Sequence, residues 1–390
     1  MSALAVAVFW GCAALLVYAH FGYPALVWLW ARASSRPLLR AQQEDAQLPE
    51  VAVIVIAHDE GGRIEQRIEN LSAQHYPRKR VNIAIASDGS TDDTVARARL
   101  HQGARVQVFE FASQRGKPAV LNDLIPDARG SIVVLADARQ TFDAHALRAL
   151  VAPFADPKVG AVSGELMLEG AGGSGLYWRY EKFLRKCESR VDSTVGATGA
   201  IYAIRRALFE PLAEDTVLDD VLIACRITQR GYRVVFEPLA RAHDRAAAPA
   251  AEFRRKVRTL GGNFQLFSRE RWLLDPRRNR LWLQTVSHKL LRLACPLLLV
   301  GALVSSALLA RQPLYALALC GQLVFYASAL AGWSRSRRGL SARVLVFPHL
   351  FCLLHCATAL GFVEFLRKRT TAAWKRPAGG TARLTAASLR

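Results

Sequence analysis

The longest apolar stretches lie towards the two ends of the chain. Residues 1–31 carry no acidic or basic side chain before Arg32, and residues 293–333 carry one, Arg311. About 20 apolar residues suffice to cross a bilayer, so 1–31 is predicted as a transmembrane helix and 287–367 as C-terminal membrane segments. The first run is too long for a cleaved leader, and no Lys or Arg precedes it. Trp28 and Trp30 close it and Arg32, Arg36 and Arg40 follow, which places the next domain on the cytoplasmic side. Within the second region, 288–309 and 313–333 read as two spans joined at Arg311-Gln312-Pro313, followed by a basic cytoplasmic loop at Arg335, Arg337 and Arg338. The stretch 343–366 contains Pro348, His349 and His355, and Arg367, Lys368 and Arg369 follow it. Crossing there would leave those cations outside, so a re-entrant or interfacial element is expected, then a basic tail (368–390), disordered after Trp374.

Between the apolar ends the period changes. After a polar linker (41–48), continuous apolar runs of strand length, VAVIVIA (51–57), NIAIAS (82–87), RVQVFEF (105–111) and SIVVLA (131–136), alternate with helical spacing, as at Ile64, Ile68 and Leu71 within 60–75. That alternation predicts an α/β domain over 48–250 with a mainly parallel, doubly wound sheet. A further strand is expected at 159–168, a Gly-rich bend at 170–175 and a helix at Leu176–Arg190. Small residues dominate Val195–Ala203, a helix is expected over Asp219–Arg230, and 233–238 reads as an edge strand. Residues 251–286 are a basic interfacial segment, with Arg254, Arg255, Lys256 and Arg258 interleaved with Phe253, Val257 and Leu260.

Composition changes one expectation. The 390 residues carry 52 Lys and Arg against 32 Asp and Glu, a net +20. Such a balance suits nucleic acid, but beside membrane spans it reads as loops facing anionic lipid. Seven cysteines show no metal spacing and five lie in apolar stretches, as expected of small core or membrane residues in a reducing compartment.

Five polar blocks interrupt the apolar pattern in order. Ala57-His58-Asp59-Glu60 follows the first strand and Asp88-Gly89-Ser90-Thr91-Asp92 the second; Arg115-Gly116-Lys117-Pro118 precedes Leu121-Asn122. Asp137-Ala138-Arg139 ends the fourth strand, and Leu218-Asp219-Asp220 opens a helix that carries Arg226 and stops at Gly231-Tyr232. Asp137 stands at the carboxyl end of a buried strand, where open α/β sheets place their ligand crevice. Plain capping and solvation compete at several positions: Asp59, Asp92 and Asp93 suit helix caps, a lone Gly-Lys suits solvent, and Asp219-Asp220 on position alone suits a helix start.

Taken together these blocks resemble the membrane-bound family 2 glycosyltransferases, inverting enzymes that include cellulose, hyaluronan and poly-N-acetylglucosamine synthases. The resemblance implies a GT-A-like, mainly parallel nucleotide-binding sheet with flanking transmembrane helices. It assigns Ala57 and Glu60 to the nucleoside, Asp88 to the uracil imide, and Lys117 to the diphosphate. Asp137 would ligate a divalent ion, Mg²⁺ or Mn²⁺, in a motif that normally reads Asp-x-Asp. Arg139 replaces the second acid here and can bind phosphate but no cation. His243 is a further possible ligand, or a simple surface or core residue. Asp220 corresponds to the catalytic base and Asp219 to its support, since inverting transfer needs one carboxylate to take the acceptor proton. Gly199, in Gly196-Ala197-Thr198-Gly199-Ala200, would let an acceptor approach closely. Arg255 and Arg258 stand where processive synthases carry Gln-x-x-Arg-Trp, and Thr259 replaces the tryptophan that stacks the acceptor sugar.

The expected protein is therefore an integral membrane glycosyltransferase, its catalytic domain on the cytoplasmic face of a bacterial inner membrane. Its partners would be a nucleoside-diphosphate sugar (UDP-sugar), a saccharide or lipid-linked acceptor and membrane lipid, with no nucleic acid. Its product would be a surface polysaccharide. The alternatives are a single-addition transferase on a lipid-linked acceptor, or a scaffold that binds nucleotide sugar without catalysis.

Overall fold

The apolar runs become eight strands: β1 (Val51–Ala57), β2 (Val81–Asp88), β3 (Val106–Phe111), β4 (Ile132–Asp137), β5 (Thr141–Phe142), β6 (Val159–Glu169), β7 (Ile201–Arg205) and β8 (Arg233–Arg245). The structure is a computed structural model that describes residues 3–38, 44–170, 174–337 and 343–368. Expectations placed on Arg40, 41–43, 171–173, Arg338, Arg369 and the tail fall outside the described residues.

The strands form one sheet in the order β3-β2-β1-β4-β7-β6-β8-β5. β1, β2, β3 and β4 are parallel to their neighbours among themselves, as are β6 and β8, while β7 is antiparallel to both β4 and β6 and β5 to β8. The sheet is thus mixed and mainly parallel. Every residue of β1 is buried, because helices cover both faces of the sheet. Val51, Val53 and Val55 pack on one side with helix α3 (Ile64–Ser72). Ala52, Ile54 and Ile56 pack on the other.

The helices are α1 (Ala3–Val17), continued through a π-helical turn at Tyr18–Gly22 into α2 (Tyr23–Ala33); α3; α4 (Thr94–Arg99); α5 (Lys117–Leu124); α6 (Ala146–Val151); α7 (Ser174–Val191); α8 (Asp219–Gln229); α9 (Pro249–Arg269); α10 (Trp282–Gln284), a second π-turn at Thr285–Leu290, and α11 (Leu291–Leu308); α12 (Pro313–Arg337); and α13 (Arg343–Leu366). Ala3–Ala33, Trp282–Leu308, Pro313–Arg335 and Val344–Leu366 are each long and apolar enough to cross a membrane.

Several elements differ from expectation for identifiable reasons. Helix α3 starts at Ile64 rather than residue 60, because the backbone of 59–61 is held by the 90–94 turn instead. β7 lies where only a small-residue stretch was anticipated; it is too short for periodicity to show. β8 runs past Pro238 to Arg245. A register shift between Ser163 and Glu165 of β6 lets the pairing resume at Arg241, so a residue without an N–H falls at the irregularity and not in the ladder. The stretch expected to be re-entrant or interfacial, 343–366, forms one uninterrupted helix that is long and apolar enough to cross a membrane. Its last turns lie on α9, with the rings of Phe264 and Phe362 5.0 Å apart.

A buried polar layer joins the sheet domain to the long apolar helices. Glu188 of α7 accepts from the Tyr23 hydroxyl at 2.6 Å and from Nδ1 of His288 at 2.7 Å. Nε2 of the same histidine lies 3.1 Å from Glu181, which also pairs with Arg292. These acids sit in a helix that read as aromatic and basic, and their partners lie about 100 or more residues away along the chain.

Candidate active site

The carboxyl ends of β2 and β4 and the starts of α5 and α8 bring their polar side chains together. Asp88 ends β2 and is fully buried; its Oδ1 accepts from the N–H of Arg115 at 2.7 Å and its Oδ2 from that of Gly116 at 2.9 Å. Its carboxylate therefore holds the loop that leads into α5. Gly116 makes the turn at φ +92°, a conformation that side chains resist, and Lys117 follows as the first residue of the helix. The first contacts of Asp88 are thus with this loop, although the residue types suggested a base-reading group.

Lys117 is not solvated. Its Nζ lies 3.3 Å from Oδ1 of Asp137 and 3.4 Å from Oδ2 of Asp219. Burial by itself would lower its pKa, but Asp219, Asp137 and Asp220 outweigh that and hold the ammonium above its ordinary range. Asp220 responds the opposite way: burial, then the charge of Asp219, pushes its carboxyl up to about 6 against the pull of Lys117 and Lys289. Oδ1 of Asp220 accepts from the Val221 N–H at 2.9 Å, and the Gly199 backbone lies against Oδ2.

Arg258 of α9 belongs to the same cluster. Burial lowers its pKa, while Asp219, Asp137 and Asp220 counter the shift. Arg255, one turn earlier, does not reach it: its guanidinium pairs with Glu252 of its own helix at 2.7 Å. Arg226 pairs with Glu270 at 3.2 Å and donates to the Pro211 carbonyl at 2.8 Å, tying α8 to the end of α9. His243 is engaged by Asp143 at 2.8 Å and lies 3.7 Å from Glu169.

In the loop after β1, Ala57 is buried at the strand end, and Glu60 lies 3.2 Å from Arg63. Burial raises the Glu60 pKa, with Arg63 and Arg139 opposing, so Arg139 is within electrostatic reach of Glu60. The second loop is fastened to the first: Asp59 accepts from the Thr91 N–H at 2.8 Å, Glu60 N–H donates to Thr94 Oγ1 at 2.9 Å, and Gly61 N–H donates to Asp92 at 3.1 Å. Asp92 also caps α4 through the Thr94 N–H at 3.0 Å, and Asp93 pairs with Arg97 at 2.5 Å.

Two residues here escaped the sequence reading. Tyr202 of β7 is fully enclosed, and its hydroxyl faces Asp219; burial, then Asp219, Asp220 and Asp137, holds the phenol well above its ordinary range. Arg67 of α3 is buried with its guanidinium 4.1 Å over the Phe142 ring, and burial lowers its pKa to about 9 against the counterpull of Asp137. Neither is adjacent in sequence to an acidic block, so only the packing reveals them.

The residues fit a divalent cation that is completed by its substrate. Asp137 is partly exposed and offers hard carboxylate oxygens, while the buried Oδ2 of Asp219 faces the Lys117 ammonium at 3.4 Å. Asp137, Asp219 and Asp220 do not form a three-ligand cage on their own. Mg²⁺-type ions commonly bind through one or two carboxylates plus phosphate oxygens.

Residues 49–271 match the family described as glycosyltransferase like family 2. The poly-beta-1,6-N-acetyl-D-glucosamine synthase of Staphylococcus aureus (strain MSSA476) is 26% identical over 208 residues, 50% of this chain and 49% of the relative. A probable glycosyltransferase of Bacillus subtilis, YdaM, is 25% identical over 215 residues, 50% of each chain. The chain thus spans about half the length of the curated relatives it matches. Among solved structures, the mannosyltransferase PcManGT from Pyrobaculum calidifontis, in complex with GDP-Man and Mn²⁺, aligns with a TM-score of 0.73 at 24% identity. That alignment covers 93% of this chain and 99% of the other, and the likeness is one of fold.

Proposed function

The chain belongs to the family 2-like glycosyltransferases, and from that premise we propose that it is an inverting enzyme using a nucleoside-diphosphate sugar, a UDP-sugar in particular, with Asp220 as its base. The observation that carries this reading is the placement of Lys117 between Asp137 and Asp219, with the raised carboxyl of Asp220 beside them. In the step, the Asp220 carboxylate takes the acceptor hydroxyl proton while the acceptor oxygen bonds the anomeric carbon. The bond from that carbon to the nucleoside diphosphate breaks, and the electron pair leaves with the diphosphate. Lys117 and Arg258 supply positive charge where negative charge develops on the leaving diphosphate, in a setting of low dielectric that strengthens their effect. A divalent cation, held by Asp137 with the diphosphate oxygens, would neutralise part of the same charge. Asp88 positions Lys117 through the Arg115–Gly116 backbone, and Asp219 holds Lys117 from the other side.

The acceptor is proposed to be a saccharide in surface polysaccharide synthesis, with the sheet domain on the cytoplasmic face of an inner membrane. The poly-N-acetylglucosamine synthase likeness supports the polysaccharide, and the cations after the first apolar helix support the orientation. A second reading, single addition to a lipid-linked acceptor, is favoured by Lys289. This cation heads the first C-terminal apolar helix, and its charge acts on Asp220, so the base faces the membrane side. Detergent-purified protein offered a panel of UDP- and GDP-sugars, with polymeric and lipid-linked acceptors, tests both readings by product mass. Turnover with no nucleotide sugar would overturn the donor class, and retained anomeric configuration would overturn the inverting step.

A further inference from the structure

Beneath the polar layer, three segments far apart in sequence bring together His20, Cys295 and His355. One ligand atom of each lies within 4.8 Å of the other two. An ion at the centre of a triangle with sides of that length is about 2.8 Å from each corner, so ligands would move inwards by less than ~0.8 Å to reach the roughly 2.0–2.3 Å of metal–nitrogen and metal–sulfur bonds. We propose that His20, Cys295 and His355 form a metal site for a soft monovalent cation, copper(I), at the junction of the N-terminal helix, α11 and α13.

The second shell is already arranged for it. Nδ1 of His20 lies 2.9 Å from the Leu16 carbonyl and Nδ1 of His355 lies 2.7 Å from the Phe351 carbonyl. A carbonyl only accepts, so Nδ1 carries the proton in both rings and Nε2 keeps its lone pair. Metal-bound histidines are held in the same manner, by a hydrogen bond from the other ring nitrogen. His20 owes its position to the π-turn at Tyr18–Gly22, an irregularity that inserts one residue into a helix and is frequent at functional sites. The Tyr180 hydroxyl donates to the His20 carbonyl at 3.2 Å and so fixes that turn from the sheet domain.

Charge and coordination number select the ion. A thiolate, two neutral imidazoles and copper(I) sum to zero, whereas Zn²⁺ would leave a net positive charge in an apolar setting. Arg292, one turn before Cys295, already carries a cation there, balanced by its pair with Glu181. Among the described residues this grouping offers three ligands, and structural Zn²⁺ sites take four. Soft thiolate favours copper(I), and binding releases the Cys295 thiol proton. The ion would join the N-terminal helix to α13, whose last turns pack on the helix that bears Arg258.

The test uses the full chain in detergent, kept reduced and anaerobic, with copper(I) delivered from a competing chromophoric chelator. One copper per chain is expected, with one sulfur and two nitrogen neighbours by X-ray absorption. Cys295→Ala should lose that equivalent, while a Cys352→Ala/Cys356→Ala double variant should keep it. His20→Gln and His355→Gln should each weaken binding by at least the roughly 100-fold that losing an outer-shell partner can cost such sites. Nucleotide binding and a monodisperse elution profile establish that each variant is folded. Equal uptake by wild type and Cys295→Ala, a copper spectrum without sulfur, or stoichiometric Zn²⁺ taken in preference to copper(I) would each overturn the proposal.

Discussion

Gly199 lies so close to Asp220 that a β-carbon on it would stand 2.9 Å from the carboxylate Oδ2. The glycine comes from the loop before β7 and the acid from the start of α8, and each limits where the other can be. The proposed base therefore has one face against backbone and its other oxygen on the Val221 N–H. Gly199→Ala is expected to lower kcat with little change in donor KM, by up to about 100-fold, the scale on which small misplacements act. A change confined to KM, measured by steady-state kinetics, would mean that the glycine only shapes the binding surface.

Asp220→Asn should cost about 10²–10⁴ in transfer rate, the range of a positioned general base, while nucleotide binding measured by calorimetry survives. In the wild type, activity should fall as pH drops through about 6, where the base becomes protonated. The stability effect has the opposite sense. Because the folded pKa is raised from 3.8, the protonated form is the one that favours folding, and its contribution is lost as pH rises from about 4 through 6. Replacement by Asn removes the neutral-pH penalty, of at most roughly 3 kcal/mol, so the inactive variant should melt higher than wild type at pH 7.5.

Lys117→Met removes the cation between Asp137 and Asp219 and leaves Arg258 as the remaining positive charge acting on both carboxylates. Breaking a buried pair in this way costs about 3–5 kcal/mol. We expect a lower melting temperature, much of it recovered in Lys117→Met/Asp219→Asn, and no recovery of diphosphate binding in the double variant. Retained diphosphate affinity in either protein would remove Lys117 from the proposed donor site.

The two arginines of α9 should separate cleanly. Arg258→Ala is expected to weaken nucleoside-diphosphate binding at least tenfold, since its charge acts on all three acids of the cluster. Arg255→Ala should change it by less than about 1 kcal/mol, because its partner is Glu252 on a partly exposed helix face. Equal losses in a calorimetric titration would contradict this division.

Arg139 offers a test of the metal. With Asp137 as the one acid of its motif, activity should need high Mg²⁺ or Mn²⁺ and vanish in excess chelator. Arg139→Asp should lower the metal concentration that gives half-maximal activity, and Asp137→Ala should abolish activity. Full activity in chelator would leave the leaving group to Lys117 and the arginines alone.

Much of this protein was legible in its residue order. The continuous apolar runs of β1, β2 and β4 report burial on both faces, and a strand of that kind can form only in a sheet covered by helices. Asp88, Lys117, Asp137 and Asp220 follow at the strand ends and helix starts where such a sheet leaves its crevice. The terminal apolar stretches likewise announce themselves by length, because hydrocarbon thickness sets it. The pairing of charges was a matter for the folded chain. Lys117 meets Asp219, Arg258 joins the acids while Arg255 turns to Glu252, and Tyr202 and Arg67 come in from β7 and α3, with no local pattern to mark them. Nothing along the chain linked Glu181 and Glu188 to His288 and Arg292, or His20 to Cys295 and His355. Periodicity reports which face of an element is buried; which polar groups meet there depends on sheet order, strand register and helix crossing, all of which are set by contacts between segments remote in sequence.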